Sequence, residues 1–235
     1  MKYSWLLFDA DETLFDFAKA ESNALKWTLE QSGVPFQPEY VNLYAKFNQQ
    51  VWRELERGEI TAVELRVKRF QLFFDQLSLP DKYEKRIWQP SAISKLYLQN
   101  LARGTDLLKD AEDVVRSCKS KYRLALVTNG LKEVQLPRLQ NSTLHDCFEQ
   151  VCISEEMGAA KPSPDYFDAV FSHIQNPARD KVLIIGDSLS SDIKGGFDYG
   201  IDTCWYNPTG ISTDIAVTYE ISQLKDLLPI RELRS

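Results

Sequence analysis

The chain of 235 residues is 43% hydrophobic and 11% aromatic, which supports a sizeable core and excludes a disordered protein. Its formal charge of -6 argues against a basic surface for polymeric nucleic acid, so any phosphate ligand should be a small molecule. No apolar segment approaches the ~20 residues needed to cross a bilayer, and no secretory h-region precedes Asp9, so we expect a cytoplasmic protein without a membrane partner.

The first predicted element is a short apolar strand, Leu6 to Phe8, which ends abruptly in two carboxylates, Asp9 and Asp11. A buried parallel strand has no structural need for acids at its carboxyl end, and that end is where open parallel sheets place their ligands. A solvated turn after an edge strand is the alternative for this stretch taken alone. These two carboxylates are the first candidates for a functional site.

The segment that follows predicts helices and no strand. Apolar residues recur every three or four positions, which is the period of an amphipathic helix. Thr61 and Glu64 have the spacing of a capping box at the start of one of these helices. Helices are expected near residues 19–33, 40–58 and 61–77, and one or two more over residues 83–101. We therefore predict an all-helical domain over residues 16–100, inserted into a domain formed by residues 1–15 and 101–235.

Beyond Asp110 the predicted helices and strands alternate. Strands are expected near residues 124–127, 151–153, 182–185 and 203–206, and helices near 111–118, 132–140, 164–174, after 192 and near 223–228. Pro137 should kink its helix or mark its first turn, and Ser163 should cap the next helix, with Pro164 at its first position. This alternation predicts an α/β fold, a Rossmann-like parallel sheet core with helices on both faces.

Polar side chains follow three of the predicted strands, and a lysine precedes a helix. They are Asp9, Asp11, Thr128, Asn129, Lys161, Asp187 and Asp192. In a parallel sheet these strand ends lie along one edge, so the side chains can converge. Clustered carboxylates resist ionising unless a divalent cation neutralises them. Oxygen ligands without a supporting His or Cys select a hard ion, so we expect Mg²⁺.

The cysteines and histidines do not suggest a second metal site. The four cysteines show no C-x-x-C spacing, and only His145 and His173 exist to join them. Buried thiols in a reducing compartment are the favoured interpretation.

The order and spacing of these polar residues resemble the four motifs of haloacid dehalogenase-like (HAD) phosphohydrolases. The matching stretches are Asp9-x-Asp11-x-Thr13-Leu14, Thr128-Asn129, Lys161-Pro162 and Gly186-Asp187-x4-Asp192. The helical insert resembles the cap domain of that family. Glu12 in place of the more usual glycine, and Asn129-Gly130 after the threonine, are similar to the pyrimidine 5'-nucleotidase subgroup. One departure is Lys109-Asp110, where members often have Pro-Gly, although Asp110 can still cap the following helix.

The resemblance implies roles for the acids. Asp9 would attack the substrate phosphorus and form an aspartyl phosphate. Asp11 would protonate the leaving alcohol and later take a proton from the attacking water. Asp9 and Asp187, together with the backbone carbonyl of Asp11, would hold Mg²⁺.

The resemblance also implies a phosphate-binding set. Thr128 and the amide of Asn129 would hold phosphoryl oxygens, and Lys161 would offset charge on the nucleophile and the phosphate. Asp192 would orient Lys161 or a metal-bound water.

The implied function is a Mg²⁺-dependent phosphatase acting on a small phosphorylated metabolite, most similar to enzymes that hydrolyse nucleoside 5'-monophosphates. A sugar-phosphate phosphatase or a phosphomutase of the same fold is the alternative. A dehalogenase would lack an acid at position 11 and Mg²⁺ ligands, so Asp11 and Asp187 count against it. A phospho-acceptor signalling domain uses similar residues, but the large helical insert counts against that. A monomer or a homodimer is expected.

Overall fold

The computed structural model of the protein describes residues 2–77 and 89–230. The chain forms two compact units, one made of Met1–Phe17 and Thr105–Ser235 and the other of Ala18–Gly104. The second unit is therefore an insertion in the first. We call them the α/β unit and the helical unit.

The helical unit contains helices and, over its described residues, no strand. Its helices are α1 (Phe17–Gln31), α2 (Glu39–Glu56), α3 (Ala62–Asp75) and α4 (Pro90–Leu101). The first residue of α1, Phe17, belongs to the α/β unit. Thr61 and Glu64 form the predicted capping box of α3. Aromatic rings fill the interior, where the rings of Phe70 and Tyr97 each lie 5.2 Å from that of Tyr44. The first part of the stretch predicted to form one or two more helices, residues 83–88, lies outside the described residues.

Within the described residues, six strands of the α/β unit form one parallel sheet. The strands are β1 (Trp5–Phe8), β2 (Arg123–Thr128), β3 (Gln150–Ile153), β4 (Val182–Gly186), β5 (Asp202–Tyr206) and β6 (Tyr219–Ile221). Their order is β3-β2-β1-β4-β5-β6. Strands β2 and β3 thus lie on one side of β1, and β4, β5 and β6 lie on its other side, so the direction of strand addition reverses at β4. Such a reversal is the place where open α/β sheets form a ligand crevice, at the carboxyl ends of the strands.

Both faces of the sheet are buried. Leu6 and Phe8 of β1 pack into one apolar cluster, and Trp5 and Leu7 pack into the other. This alternation follows from the two-residue period of a strand. Because each face is covered, apolar residues occupy every position of β1, which explains why it reads as a continuous apolar run.

The helices of the α/β unit cover the two faces as predicted. They are α5 (Ala111–Lys119), α6 (Lys132–Asn141), α7 (Ser154–Met157), α8 (Pro164–His173) and α9 (Lys194–Tyr199). Val114 and Val115 of α5 lie on the face of Leu6, whereas Phe167 of α8 lies on the opposite face. Ser163 caps α8 by accepting a hydrogen bond from the backbone N–H of the second residue beyond it, and proline occupies the first turn. The predicted α/β fold is confirmed.

Several local expectations are corrected. Of the two alternatives for Pro137, the first-turn position is wrong, because the residue lies in the interior of α6. The helix expected near residues 223–228 is a short 3₁₀ helix, Leu224–Leu227. Strand β6 and helix α7 were not predicted, since three and four residues are too few to show a period. Asp110 precedes α5 without a side-chain capping bond, and its backbone is left-handed with φ 66°.

Over the described part of the chain, no helix combines the length and apolar character required to cross a membrane. The four cysteines are free and buried, as predicted.

Candidate active site

Lys161 is the centre of a buried ionic cluster at the carboxyl ends of β1, β2 and β4. Its ammonium group donates hydrogen bonds to Asp9 Oδ1 at 2.5 Å, to Asp192 Oδ1 at 2.6 Å and to the carbonyl oxygen of Val127 at 3.0 Å. These three acceptors satisfy the three N–H donors of an ammonium group. Lys161 is 2% exposed and Asp192 is fully buried. The lysine is thus a fixed positive charge beside Asp9.

The chain around Asp9 explains its position. The backbone N–H of Asp9 donates to the carbonyl of Ile185 at 2.9 Å, which continues the β1–β4 pairing one residue beyond the strand. A tight turn then follows, because the N–H groups of Leu14 and Phe15 both donate to the carbonyl of Ala10. Asp9 is therefore held at the end of the central strand, and the residue is 7% exposed.

Asp187 is anchored on the neighbouring strand end by two side chains. The hydroxyl of Thr13 lies 3.0 Å from Asp187 Oδ1, and the backbone N–H of Asp187 donates to the same hydroxyl at 3.1 Å. The indole N–H of Trp205 donates to the backbone carbonyl of Asp187 at 2.9 Å. Asp187 is thereby linked to the turn after β1 and to β5.

The acids of this cluster fit a divalent cation. One oxygen from each of Asp9, Asp187 and Asp192 lies within 4.8 Å of the others. Burial raises the pKa of Asp187 to about 7, and the charge of Asp192 adds to that rise, while the hydrogen bond from Thr13 opposes it. Burial also raises the pKa of Asp9, although Lys161 opposes the shift. Three carboxyl groups beside one lysine resist ionising together unless a further cation joins them, and an oxygen-only donor set suits a hard ion such as Mg²⁺.

Both oxygens of Asp192 are already engaged. Lys161 binds Oδ1, and the backbone N–H of Ser188 donates to Oδ2 at 3.1 Å. A Cβ at Gly186 would lie 2.3 Å from Oδ2. Glycine at this position therefore allows the close approach of Asp192, whose immediate partner is the lysine.

The carboxylate of Asp11 is bound by side chains of α6 and not by Lys161. Gln135 Nε2 donates to Asp11 Oδ2 at 2.6 Å, and Arg138 donates to Asp11 Oδ1. Both partners lie on α6, which follows the carboxyl end of β2. The structure thus brings together Asp9, Lys161, Asp187 and Asp192, and places the Asp11 carboxylate against α6.

Thr128 and Asn129 lie at the end of β2, as expected, but the asparagine side chain has an additional contact. Its amide accepts from the backbone N–H of Lys161 and donates to the backbone carbonyl of the same residue, both at 2.8 Å. The Thr128 hydroxyl accepts from the N–H of Gly130 at 3.0 Å. Asn129 therefore fixes the backbone that carries the lysine.

The backbone at Glu12 explains why glycine is the more usual residue at this position. Its φ is 58°, in the left-handed region that glycine enters without steric cost and other residues enter rarely. Asp110, where glycine was also the usual residue, has the same handedness. A positive φ favours glycine at both positions, and this chain adopts the same backbone conformation with Glu12 and Asp110.

Four contributors were not identified from the sequence: Gln135, Arg138, Trp205, and the anchoring role of Thr13. Gln135 and Arg138 are three residues apart and therefore share a face of α6, and both are buried. A charged residue inside an apolar helical stripe was the available signal. Trp205 carried no such signal, because an aromatic residue is ordinary in a buried strand.

Comparisons with known proteins agree with this geometry. A family model described as haloacid dehalogenase-like hydrolase matches residues 3–200. The chain is 37% identical to pyrimidine 5'-nucleotidase PynA of Streptococcus pneumoniae, covering 97% of this chain and 94% of that protein. It is 32% identical to pyrimidine 5'-nucleotidase YjjG of Escherichia coli, covering 97% of each.

A solved structure is similar over its whole length. The crystal structure of the HAD-hydrolase YfnB of Bacillus subtilis, described as bound to magnesium, matches with a TM-score of 0.89 and 34% identity, covering 100% of both chains. The resemblance that the four motifs carry is confirmed. The chain belongs to the haloacid dehalogenase-like hydrolase family and is a hydrolase.

Proposed function

We propose that this hydrolase is a Mg²⁺-dependent phosphatase of small phosphate monoesters, and that nucleoside 5'-monophosphates are its substrates. The observation that carries the proposal is the buried pair of Asp9 and Lys161, with Asp187 beside it, at the reversal point of the sheet. A carboxylate held there is placed to act as a nucleophile, and the adjoining charges suit a phosphoryl group.

In the proposed reaction, Asp9 attacks phosphorus and the bond from phosphorus to the leaving oxygen breaks. The leaving oxygen takes a proton from Asp11 and departs as an alcohol. Water then attacks the aspartyl phosphate, gives a proton to Asp11 and releases inorganic phosphate. Asp9 and Asp11 are both regenerated, so the two steps balance.

The phosphoryl group would be held by Thr128, the backbone amide of Asn129 and Lys161. The ammonium group of Lys161 already lies 2.5 Å from Asp9, so it can lower the repulsion between the nucleophile and an incoming phosphate. Asp192 keeps the lysine in place from the opposite side. This division of roles uses every member of the buried cluster.

We assign the Mg²⁺ site to the carboxylates of Asp9 and Asp187 and the backbone carbonyl of Asp11. The bound ion would supply positive charge to the phosphoryl oxygens and to the crowded carboxylates. The anchoring of Asp187 by Thr13 prepares this carboxylate for such a role.

The substrate assignment rests on the relatives. Two proteins named pyrimidine 5'-nucleotidases share 37% and 32% identity with this chain over nearly its full length. The helical unit, residues 18–104, is assigned the cap role that selects among phosphate monoesters. Its separate compact fold supports that assignment.

A substrate panel with and without Mg²⁺ tests the proposal. Nucleoside 5'-monophosphates are compared with sugar phosphates, with free phosphate as the readout. We expect Mg²⁺-dependent release, fastest from pyrimidine nucleotides. Faster turnover of sugar phosphates would overturn the nucleotide assignment, and transfer of phosphate within the substrate without release would instead indicate a phosphomutase.

A further inference from the structure

The carboxylate of Asp11 is held on both of its oxygens by one helix. Arg138 donates to Oδ1 and Gln135 donates to Oδ2 at 2.6 Å. Arg138 and Gln135 lie 127 and 124 residues after Asp11 in the chain, and they are about one helical turn apart on α6. Two donors on two oxygens fix the plane of a carboxylate as well as its position. The carboxylate that carries the proton in the proposed reaction is therefore held in one orientation by α6.

Arg138 is an unusual residue for its location. It is fully buried, and its guanidinium lies 5.5 Å from the ring of Phe15 and 5.7 Å from that of Phe17. Its Nε and Nη2 atoms find no hydrogen-bond partner within the described residues. A buried charge is costly unless it is paired, and an apolar residue would pack against two aromatic rings without that cost. The ion pair with Asp11 is thus the interaction that accounts for an arginine at this position.

Gly130 makes room for the second donor. A Cβ at this residue would lie 2.0 Å from Gln135 Nε2 and 2.8 Å from its Cδ. Any other residue would push the amide away from Asp11. Gly130, two residues beyond β2, and Gln135 on α6 therefore belong to one arrangement.

We propose that Arg138 and Gln135 are positioning residues that aim the Asp11 carboxylate for proton transfer. They act through Asp11, which gives its proton to the leaving oxygen in the first step and takes one from water in the second. This inference rests on the proposed function, since it concerns the efficiency of that proton transfer.

Substrates with different leaving groups distinguish a positioning role from a merely structural one. A nucleoside leaves as an alkoxide unless it is protonated, so its departure needs the acid. p-Nitrophenolate is a stable anion and departs without a proton. Formation of the phosphoenzyme should therefore depend on the positioning residues for a nucleotide and be nearly independent of them for p-nitrophenyl phosphate.

The experiment measures phosphoenzyme formation by rapid quench with uridine 5'-monophosphate and p-nitrophenyl phosphate. The variants are Gln135→Met and Arg138→Met, which keep volume and remove the donor, and Arg138→Lys, which restores a cation. Gln140→Met is the matched control, because Gln140 is an exposed residue of the same helix. Thermal unfolding checks that each variant is folded, and Gln135→Met decides the outcome if Arg138→Met does not fold.

We expect the rate with the nucleotide to fall about 10-fold in Gln135→Met and about 100-fold in Arg138→Met, with KM changed less than about threefold. The rate with p-nitrophenyl phosphate should stay within about threefold of wild type, and Arg138→Lys should recover part of the nucleotide rate. Equal losses with both substrates, a change in KM alone, or no loss would overturn the inference. Failure of the wild type to form a phosphoenzyme would overturn the proposed function itself.

Discussion

Lys161 and Asp192 form a 2.6 Å ion pair in which each side chain is only 1% exposed. Burial alone would lower the pKa of the lysine, but the charges of Asp192 and Asp9 outweigh it and raise that pKa. The lysine therefore stays charged in the interior only because of its two acidic partners. Of the two, only Asp192 keeps a free carboxylate throughout the proposed reaction, because Asp9 carries the phosphoryl group between its two steps.

Removing Asp192 should destabilise the fold. Asp192→Ala leaves Lys161 with one carboxylate, and we expect a loss of about 3 kcal/mol, the lower end of the range for a broken buried pair, because Asp9 remains. Asp198→Ala is the control, since its ion pair with Lys194 is roughly half exposed, with side-chain exposures of 54% and 46%, and should cost less than about 0.5 kcal/mol. Urea unfolding measures both variants. Equal free energies of unfolding would contradict the role given to the buried pair.

Thr13→Val should weaken activation by Mg²⁺. The substitution keeps the shape of the side chain and removes the hydroxyl that both contacts Asp187 Oδ1 and accepts from its backbone N–H. Loss of such an outer partner should raise the Mg²⁺ concentration for half-maximal activity roughly 10-fold. The measurement is a Mg²⁺ titration of phosphatase activity.

Thr203→Val is the matched control for that titration. Thr203 is also buried, and it exchanges hydrogen bonds with Thr218 instead of an acid. It should lose about 1 kcal/mol of stability, as should Thr13→Val. An unchanged Mg²⁺ requirement in Thr13→Val, or an equal change in both variants, would show that the hydroxyl does not prepare the metal ligand.

The cysteines should be inert in the folded protein. Burial raises the pKa of Cys118 and of Cys152 to about 12, and it raises those of Cys147 and Cys204 as well. Because the thiolate is the reactive form, a thiol reagent at pH 8 should label none of the four thiols before unfolding and all of them in urea. Rapid labelling of the folded protein with loss of activity would contradict this.

The central strands were predictable because their burial is two-sided. β1 and β4 are apolar at nearly every position and end in acids, and those two features identify both the element and its functional end. β6 gave no such pattern, since it adds only three residues at the edge of the sheet. The 3₁₀ helix Leu224–Leu227 was expected as an α-helix because its two buried leucines, three residues apart, fit either geometry.

The sequence indicated which residues come together in the candidate site, but not the direction in which each side chain points. Parallel strands meet at one edge, so Asp9, Lys161 and Asp187 could be expected to converge. The direction of Asp11 could not be read, because it lies in the turn after β1 and its partners reach it from α6. Contacts made by long side chains across more than a hundred residues leave no local pattern.

The central claim is that Asp9 carries the phosphoryl group. The direct measurement is to quench the enzyme in acid during turnover of a nucleoside 5'-monophosphate, reduce it with borohydride and identify the modified residue by mass spectrometry of the peptide that contains Asp9. The account predicts modification at Asp9 in the wild type, and neither modification nor Mg²⁺-dependent turnover in Asp9→Asn. Phosphate on another residue, or substantial turnover by a folded Asp9→Asn variant, would contradict it.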